Sequence, residues 1–591
     1  MTTDIYSSSA QFFSQYFKDS KNERLQHYVA LSYDRLQEGH IATNIDAKDL
    51  PQLAESEFVS TDVQQLDKPF LVHNNKFYMQ RYFHYESQIV KGIVALRTEE
   101  KNLISSRISA LKDQRAFIQT LFADFEESGS PQERVNWQLV AALNSAIRQF
   151  SIITGGPGTG KTTTVAKLLS LLFELDGELN VTLAAQTGKA AARLKESLNN
   201  SKNRLPIAEH IKEKFDEITP LTIHRLLGFV PNSIDFKYKA SNPLHYDVVI
   251  IDESSMIDVP LLSKLFSAIS PTTRLIFLGD RNQLASVEAG SIFGDLCKSA
   301  GEEINHFDES LISFFNAFST KGQVPSTYQK ATTGITDAIC ELKKSYRFTG
   351  DSGIGQFSKA ILAEEQIHCR DCRESVERDG VCIRETLQEE EIKKYFDRFA
   401  TYIQEKEVHA ALQELNTIKV LCATRSGNRG VYELNKMIEK HLLDKGLLVD
   451  VNDFYEHRPI LITQNDYNLG LFNGDIGICR KNEFGEMRVF FEDGEAASKL
   501  KEIVPSFIQN YETVFAMTIH KSQGSEFEHV VMVLPTSGMS DAVLTKELVY
   551  TGVTRGKKTV LIIGEETVIN QAIQRPVERV SGIIERIHHE C

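Results

Sequence analysis

The segment GGPGTGKT at residues 155–162 constrains the fold of this chain more than any other stretch of its sequence. It matches the pattern G-x-x-x-x-G-K-[ST] at every position, follows an apolar strand-like run at 150–153, and precedes apolar residues at helical spacing between 165 and 172. Glycines let successive backbone N–H groups turn inward around phosphate oxygens, and the start of the helix adds partial positive charge. The segment therefore predicts a P-loop, in which Lys161 reaches the β- and γ-phosphates of a nucleotide and Thr162 binds Mg²⁺. A chance match is the competing interpretation, and the flanking strand and helix argue against it.

Two adjacent acids close a second apolar strand. In DVVIIDESS, Asp252 and Glu253 follow a run that is expected to be buried. Because an unpaired buried charge is costly, such acids are rarely structural. They predict a Walker B site, where Asp252 holds the Mg²⁺ and Glu253 positions or deprotonates the attacking water. A further strand, RLIFL, ends near Gln283, which is placed to sense the γ-phosphate.

Composition narrows the class of protein. The 591 residues are 41% hydrophobic and 25% charged, which is typical of a soluble globular protein of three or four domains. No run approaches the roughly 18 apolar residues of a membrane span, and the N-terminus lacks the features of a signal peptide, so the cytoplasm is the predicted compartment. The net charge of −14 argues against a protein that coats duplex DNA, yet it allows a narrow basic groove.

Eight scattered cysteines predict reduced thiols. His368, Cys369, Cys372 and Cys382 form the one cluster, which lacks the second close pair expected of a structural zinc site.

Alternating strand and helix patterns from about residue 116 predict α/β architecture. We expect one such domain at 116–345 and a second at 346–591, with a small β insertion at about 449–506 whose strands are separated by turns such as Asn473-Gly474-Asp475 and Glu492-Asp493-Gly494. Residues 1–115 are rich in aromatics and include a predicted hairpin at Asn74-Asn75. The sequence leaves open whether these aromatics form a core or anchor a partner; the residues concerned are Phe77, Tyr78, Tyr82 and Phe83.

The order of the motifs from Gln138 to Lys558 resembles that of the superfamily 1 helicases, and specifically the RecD branch. The matching segments are GGPGTGKTTT, TGKAAARL, TIHRLLG, IIDESSMID, LGDRNQLASVEAGS, SYRF, LFNGDIG, TIHKSQGSEF and VYTGVTRGKK. Chain length and the separate N-terminal region are most similar to the RecD subunits of exonuclease V (RecBCD). Gln186 and Ala285 depart from the family pattern, since many relatives carry proline there. The resemblance implies two tandem RecA-like P-loop NTPase domains, an SH3-like insertion in the second, and an N-terminal domain that docks to a partner.

The resemblance also implies roles for individual residues. Gln138 is expected to contact adenine, and Arg347 and Arg555 are expected to act as arginine fingers from the far side of the cleft. The residues expected to bind ATP are Gln138, Gly155, Gly156, Pro157, Gly158, Thr159, Gly160, Lys161, Thr162, Thr163, Gly524 and Glu526. Those expected to lie along single-stranded DNA are Thr187, Lys189, His224, Thr518 and His520.

The implied function is an ATP-driven 5′-to-3′ translocase and helicase on single-stranded DNA. It would act with RecB-like and RecC-like subunits on duplex ends in double-strand break repair, with any nuclease activity in a partner. One alternative is a stand-alone RecD-like helicase, although the N-terminal 115 residues leave little space for the longer region of such proteins. Another is a regulatory P-loop switch, but the guanine-reading pattern N-K-x-D is absent: Asn75-Lys76 and Asn435-Lys436 both lack the following Asp.

Overall fold

Four β-sheets organise the part of the chain that the computed structural model describes. The described residues are 6–17, 22–65, 67–230, 233, 235–330, 332–348, 352–367, 380–385, 389–466, 468–492, 500–536 and 543–591. Within these ranges, no helix combines the length and the apolar character needed to cross a bilayer.

The N-terminal region contains a small sheet in the order β1-β4-β3-β2. The predicted hairpin is present, because Asn74 and Asn75 both adopt positive φ (48° and 56°) between the antiparallel strands β3 and β4. The elements are α1 (Ser8–Gln15), α2 (Glu23–Gln37), β1 (Thr43–Asn44), α3 (Leu50–Ala54), β2 (Val59–Ser60), β3 (Phe70–His73), β4 (Lys76–Met79) and α4 (Gln80–Asp113).

The hairpin aromatics are core residues. Phe77, Tyr78 and Phe83 are at most 2% exposed, so the interpretation of these three as partner anchors is wrong. Successive strand residues point to opposite faces, and here both faces are covered. Phe77 packs among the N-terminal helices, whereas the Tyr78 hydroxyl lies 2.1 Å from the position that a Cβ on Gly582 would occupy. Tyr82 is partly buried against the core of the next sheet.

The second sheet is fully parallel, in the order β10-β5-β9-β8-β6-β7. Its central strands are continuous apolar runs because helices cover both of its faces. The elements are α5 (Arg115–Leu121), α6 (Trp137–Ile147), β5 (Phe150–Gly155), α7 (Lys161–Leu175), β6 (Val181–Ala185), α8 (Gly188–Arg204), α9 (Glu209–Glu217), β7 (Leu221–Thr222), α10 (Ile223–Leu226), β8 (Val248–Asp252), α11 (Val259–Ala268), β9 (Arg274–Gly279), α12 (Ile292–Lys298), α13 (Glu309–Phe318) and β10 (Ile339–Leu342).

Helix α4 shares its core with this sheet. Ile89 and Ile93 are fully buried in the same cluster as strands β5, β8 and β9. A buried ionic network reinforces the contact, since Arg148 pairs with Glu100 at 2.9 Å and with Asp337 at 2.8 Å. A division at residue 115 would cut α4 away from this core, so we propose a boundary near residue 80 instead.

The third sheet is parallel, in the order β11-β20-β19-β12-β18, and the fourth is antiparallel, in the order β16-β15-β14-β13-β17. The fourth is the predicted insertion; Asp493 and Gly494 of its second predicted turn lie outside the described residues. The elements are α14 (Gly353–Leu362), β11 (Gly380–Arg384), α15 (Glu389–Phe396), α16 (Ala400–Gln404), α17 (Val408–Leu415), β12 (Ile418–Cys422), α18 (Val431–Asp444), β13 (Pro459–Ile462), β14 (Ile476–Lys481), β15 (Met487–Glu492), β16 (Leu500–Ile503), β17 (Tyr511–Thr513), β18 (Ala516–Thr518), β19 (Phe527–Val533), α19 (Lys546–Val553), β20 (Gly556–Ile563), α20 (Glu566–Ile573) and α21 (Ile583–Glu590).

The predicted fold class is therefore confirmed: α/β, with two tandem RecA-like sheets, a β insertion in the second and an N-terminal domain. The C-terminal segment adds a feature that the sequence did not indicate. Ile583 and Ile587 of α21 are buried in the core of the first parallel sheet. The chain thus returns from the second parallel sheet to the first.

Candidate active site

The P-loop joins β5 to α7, as predicted. Gly158 and Gly160 have positive φ (75° and 84°), which residues with a side chain rarely adopt. Their surroundings also exclude a side chain: a Cβ on Gly158 would lie 2.3 Å from Cβ of Arg347, and one on Gly160 would lie 2.3 Å from Nε2 of Gln138. The glycines are therefore required both by backbone conformation and by close packing.

Lys161 is held over this loop. Its Nζ donates to the carbonyl oxygens of Gly155 at 2.7 Å and Gly156 at 3.3 Å. The loop lines a cavity of about 500 Å³. The cavity is lined by Gln138, Pro157, Gly158, Thr159, Gly160, Lys161, Thr162, Thr163, Asp252, Glu253, Gln283, Arg347, Glu526 and Arg555, all named from the sequence, and also by Asp124, Ser197 and Tyr346, which were not. Gly155 and Gly156, at the start of the loop, do not line this cavity, and Gly524 lines an adjoining cavity instead.

The two acids close β8 beside the P-loop. Glu253 adopts a left-handed conformation (φ 51°), a strained state for a residue with a side chain that is typical of functional sites. Its backbone N–H donates to Oδ1 of Asp252 at 2.8 Å. Burial, and secondly the Glu253 carboxylate, raises the pKa of Asp252 to about 7. A divalent cation would offset both effects, and the Asp252 carboxylate and Thr162 hydroxyl supply the hard oxygen ligands that Mg²⁺ prefers.

Arg555 enters the cavity from the second parallel sheet. It follows α19, is 4% exposed, and donates from Nη1 to the carbonyl of Ser525 at 3.1 Å and from Nε to that of Thr551 at 3.2 Å. These bonds fix the plane of the guanidinium group. Arg555 therefore lines the nucleotide cavity from the side of the second parallel sheet.

Arg347 lies on the segment that connects the two parallel sheets, between β10 and the second sheet. On one side of it, the Tyr346 N–H donates to the Gly158 carbonyl of the P-loop at 2.8 Å. On the other side, Phe348 is buried in the core of the second sheet. The Arg347 side chain reaches across the cleft, since its Nη2 lies 2.6 Å from Oε1 of Glu526. Among the described residues the buried Nη1 atom has no hydrogen-bond partner, so it is free to donate to a phosphate oxygen.

A chain of hydrogen bonds links the site to the second parallel sheet. The Tyr550 hydroxyl and Nε2 of Gln283 both donate to Oδ2 of Asp280 at 3.1 Å. Next to them, the Leu284 N–H donates to Oγ1 of Thr551 at 3.0 Å. Oε1 of Gln283 is buried and has no hydrogen-bond partner among the described residues, as expected of a group that binds a ligand or water. Gln283 is thus connected through Asp280 to the second sheet.

We expect Tyr550→Phe to lower kcat of DNA-stimulated ATP hydrolysis by about tenfold, because it leaves the buried Asp280 carboxylate short of a donor, at a cost of about 1–3 kcal/mol. Tyr432→Phe is the matched control, since Tyr432 is 47% exposed. Steady-state kinetics check the prediction, with thermal unfolding to confirm folding. Equal kcat in both variants would show that the Tyr550 hydrogen bond has no part in turnover.

The residues expected to contact DNA follow neighbouring strand ends. Thr187 and His224 come after the adjacent strands β6 and β7, and Thr518 and His520 come at the end of β18. Two of their hydroxyls already serve the local fold: Oγ1 of Thr187 accepts the Ala190 N–H at 3.2 Å, and Oγ1 of Thr518 accepts the Lys521 N–H at 3.3 Å.

Lys189 lies at the contact between the insertion and the first parallel sheet. Burial, and next the neighbouring Arg193, lowers the pKa of Lys189 to about 7. Close by, the Phe472 ring of the insertion lies 3.5 Å from the Cβ position of Gly188 and 4.7 Å from the guanidinium carbon of Arg225. The insertion therefore packs beside the N-terminal ends of α8 and α10, which carry Lys189 and His224.

The cysteine cluster is only partly described. His368, Cys369 and Cys372 lie outside the described residues, and Cys382 is buried in β11.

Sequence reasoning missed Asp280, Tyr550 and Tyr346. Asp280 directly follows β9 as Asp252 closes β8, which is a signal that could have identified it. Tyr550 and Tyr346 belong to the quoted motifs VYTGVTRGKK and SYRF, but their roles depend on contacts between distant segments.

Comparisons with known proteins agree with this arrangement. Residues 138–289 match the family described as AAA domain, and residues 513–563 match the UvrD-like helicase C-terminal domain. The RecBCD enzyme subunit RecD of Haemophilus influenzae is 37% identical over 481 residues, which cover 76% of this chain and 72% of that protein. The ATP-dependent RecD2 DNA helicase of Deinococcus radiodurans is 28% identical, over 74% of this chain and 50% of that protein.

The structure of a Bacteroides Pif1 helicase bound to single-stranded DNA matches 74% of this chain and 94% of the Pif1 chain, at 16% identity and a TM-score of 0.37. This similarity is too weak to support any detail of the site. The identity to the RecD relative and the share of both chains that it covers are sufficient on their own to show the family. This chain belongs to the RecD family of ATP-dependent DNA helicases in superfamily 1.

Proposed function

We propose that this chain is the 5′-to-3′ helicase subunit of a RecBCD-like complex and unwinds duplex DNA ends during double-strand break repair by homologous recombination. The observation that carries the proposal is a single cavity lined from both parallel sheets, with Lys161 on one side and Arg555 on the other. All the residues of such a site surround the nucleotide only when the two sheets move close together, and this requirement couples ATP turnover to movement.

In the proposed mechanism, Gln138 contacts the adenine and the P-loop N–H groups hold the phosphates. Mg²⁺, bound by Thr162 and Asp252, would neutralise charge on the β- and γ-phosphates. Glu253 accepts a proton from the attacking water.

The arginines complete the hydrolytic step. Arg555 and Arg347 stabilise the charge that spreads over the γ-phosphate oxygens in the transition state. The ion pair between Arg347 and Glu526 then has to exchange, since the guanidinium group cannot face both the carboxylate and the phosphate in the same way.

The DNA is proposed to lie along the strand ends that carry Thr187, His224, Thr518 and His520. The Leu284–Thr551 and Tyr550–Asp280 bonds span the same gap between the sheets. A change in the nucleotide would therefore alter the separation of the two DNA-facing surfaces, as a stepping motor requires.

RecB-like and RecC-like subunits are the proposed partners, and the cytoplasm is the proposed compartment. Among the described N-terminal residues, the exposed aromatics available to a partner are Phe12 on α1 (61% exposed) and Tyr16 directly after it (69% exposed), since Phe77 and Tyr78 are buried. A stand-alone helicase is the less favoured alternative, because the RecD2 relative is 28% identical to this chain and the RecD relative is 37% identical.

Unwinding of duplexes that carry only a 5′ tail or only a 3′ tail tests the polarity. The experiment compares the assembled complex with the same complex carrying Lys161→Gln in this chain, so that unwinding by a partner is separated from unwinding by this subunit. We expect the substitution to abolish unwinding from the 5′ tail and to spare unwinding from the 3′ tail. Loss confined to the 3′ tail would reverse the proposed direction.

A further inference from the structure

A second cavity, of about 520 Å³, adjoins the nucleotide cavity. Eight residues line both cavities. Four of them, Thr162, Thr163, Asp252 and Glu253, surround the expected position of the γ-phosphate, and the others are Ser197, Arg347, Glu526 and Arg555. From there the second cavity continues away from Gln138 along α8, and none of the P-loop residues before Thr162 lines it. We call the part of this cavity that is lined by Arg193, Ser201 and Arg204 the extension. It begins where the terminal phosphate is expected to be cleaved.

Donors line the extension. Arg193 of α8 is half-buried, and its Nη1 donates to the carbonyl of Gly524, which fixes the guanidinium group between the two parallel sheets. Farther along α8, the hydroxyl of Ser201 and the guanidinium group of Arg204 also line this cavity and not the nucleotide cavity. These groups suit a small, multiply charged anion.

Besides Asp252 and Glu253, two further acids, Glu196 and Glu526, line the second cavity, and neither neutralises Arg193. Glu526 is already paired with Arg347 at 2.6 Å and lies 3.6 Å from Nζ of Lys557. Those two cations, and next Arg193, hold the pKa of Glu526 below its usual value despite burial. Glu196 is exposed at the outer end. Arg193 therefore faces the interior of the cavity without a dedicated carboxylate partner of its own among the described ion pairs.

We propose that this extension is a binding site for inorganic phosphate and the path by which phosphate leaves after ATP cleavage. The proposal rests on ATP hydrolysis at the adjoining site. ADP, bound from Gln138 to Lys161, would fill the nucleotide cavity and block the way back. The phosphate formed beyond Thr162 then has an open route past Arg193.

Phosphate binding in the presence of a non-hydrolysable ATP analogue tests the site. The analogue with Mg²⁺ fills the γ-phosphate position, so any saturable binding of radiolabelled inorganic phosphate in equilibrium dialysis must occur elsewhere. We expect one such site in the unaltered chain. Arg193→Gln should weaken it at least about tenfold, the effect of losing one charged hydrogen bond of roughly 1.5–3 kcal/mol.

Lys195→Gln is the matched control, because Lys195 lies on the same helix and lines neither cavity. Analogue binding, measured in the same samples, should be equal in all three proteins. Absence of saturable phosphate binding, or equal affinity in Arg193→Gln and Lys195→Gln, would overturn the proposal while leaving the ATP site intact. Failure to bind the analogue would instead remove the ATP site, and the proposal with it.

The exit role has its own test. Ser201→Phe narrows the outer part of the extension, away from the reacting atoms. A fluorescent phosphate sensor should then report release at least about fivefold slower than in the unaltered chain, while quenched samples show an unchanged cleavage rate. Release that still keeps pace with cleavage would refute the exit path.

Discussion

Glu253→Gln is expected to leave ATP and Mg²⁺ bound and to slow hydrolysis by about 10³-fold, within the range for loss of a general base. The amide is isosteric, so it preserves packing and the left-handed backbone at this position, but it cannot take a proton from water. Asp252, Thr162 and Lys161 remain to hold the metal and the phosphates. Fluorescent-nucleotide titration and DNA-stimulated ATPase assays measure the two effects separately.

Glu309→Gln, on the exposed first turn of α13, controls for the loss of a carboxylate elsewhere. If nucleotide affinity vanished together with turnover in Glu253→Gln, then Glu253 would be a metal ligand or a structural residue.

Arg555→Ala is expected to lower kcat by about 10³-fold and to weaken ATP binding by less than tenfold. A transition-state contact contributes to the rate and little to ground-state affinity. The two carbonyls that hold the Arg555 guanidinium, from Ser525 and Thr551, orient it before ATP arrives. Single-turnover hydrolysis at saturating ATP gives the rate, and titration gives the affinity.

Arg555→Lys serves as the graded variant, since it keeps the charge and loses the planar fork. An unchanged kcat in Arg555→Ala would place this residue outside the reaction.

The P-loop and the paired acids could be predicted because each is a local pattern. A strand, a glycine turn and a helix determine the position of Lys161, and an apolar strand delivers Asp252 and Glu253. The ATP-lining residues outside these patterns, such as Arg555, came from the family resemblance and not from local physics.

The path of the chain at Arg347 could not be predicted from local patterns, and its expected approach from the far side of the cleft came from the family resemblance. In the structure Arg347 lies on the segment that connects the two sheets and packs over Gly158. The side of a cleft on which a linker residue lies depends on the path of the chain in space, which spacing along the sequence does not encode.

The interpretation of Phe77, Tyr78 and Phe83 as partner anchors is wrong for a related reason. Phe77 and Tyr78 occupy opposite faces of a hairpin, a pattern that normally leaves one face open to a partner. Here Gly582, some five hundred residues away in sequence, covers the second face. The Tyr550–Asp280 bond was missed in the same way, because it joins segments that only the tertiary fold brings together.

The double variant Glu253→Gln/Arg555→Ala tests most directly whether both parallel sheets act on one nucleotide. Residues that act as a unit in one transition state show strongly non-additive losses when they are removed together. Single-turnover ATP hydrolysis in the presence of single-stranded DNA should therefore be nearly as fast in the double variant as in the slower single variant. Losses that multiply, to about 10⁶-fold from two losses of about 10³ each, would contradict a shared site between the sheets.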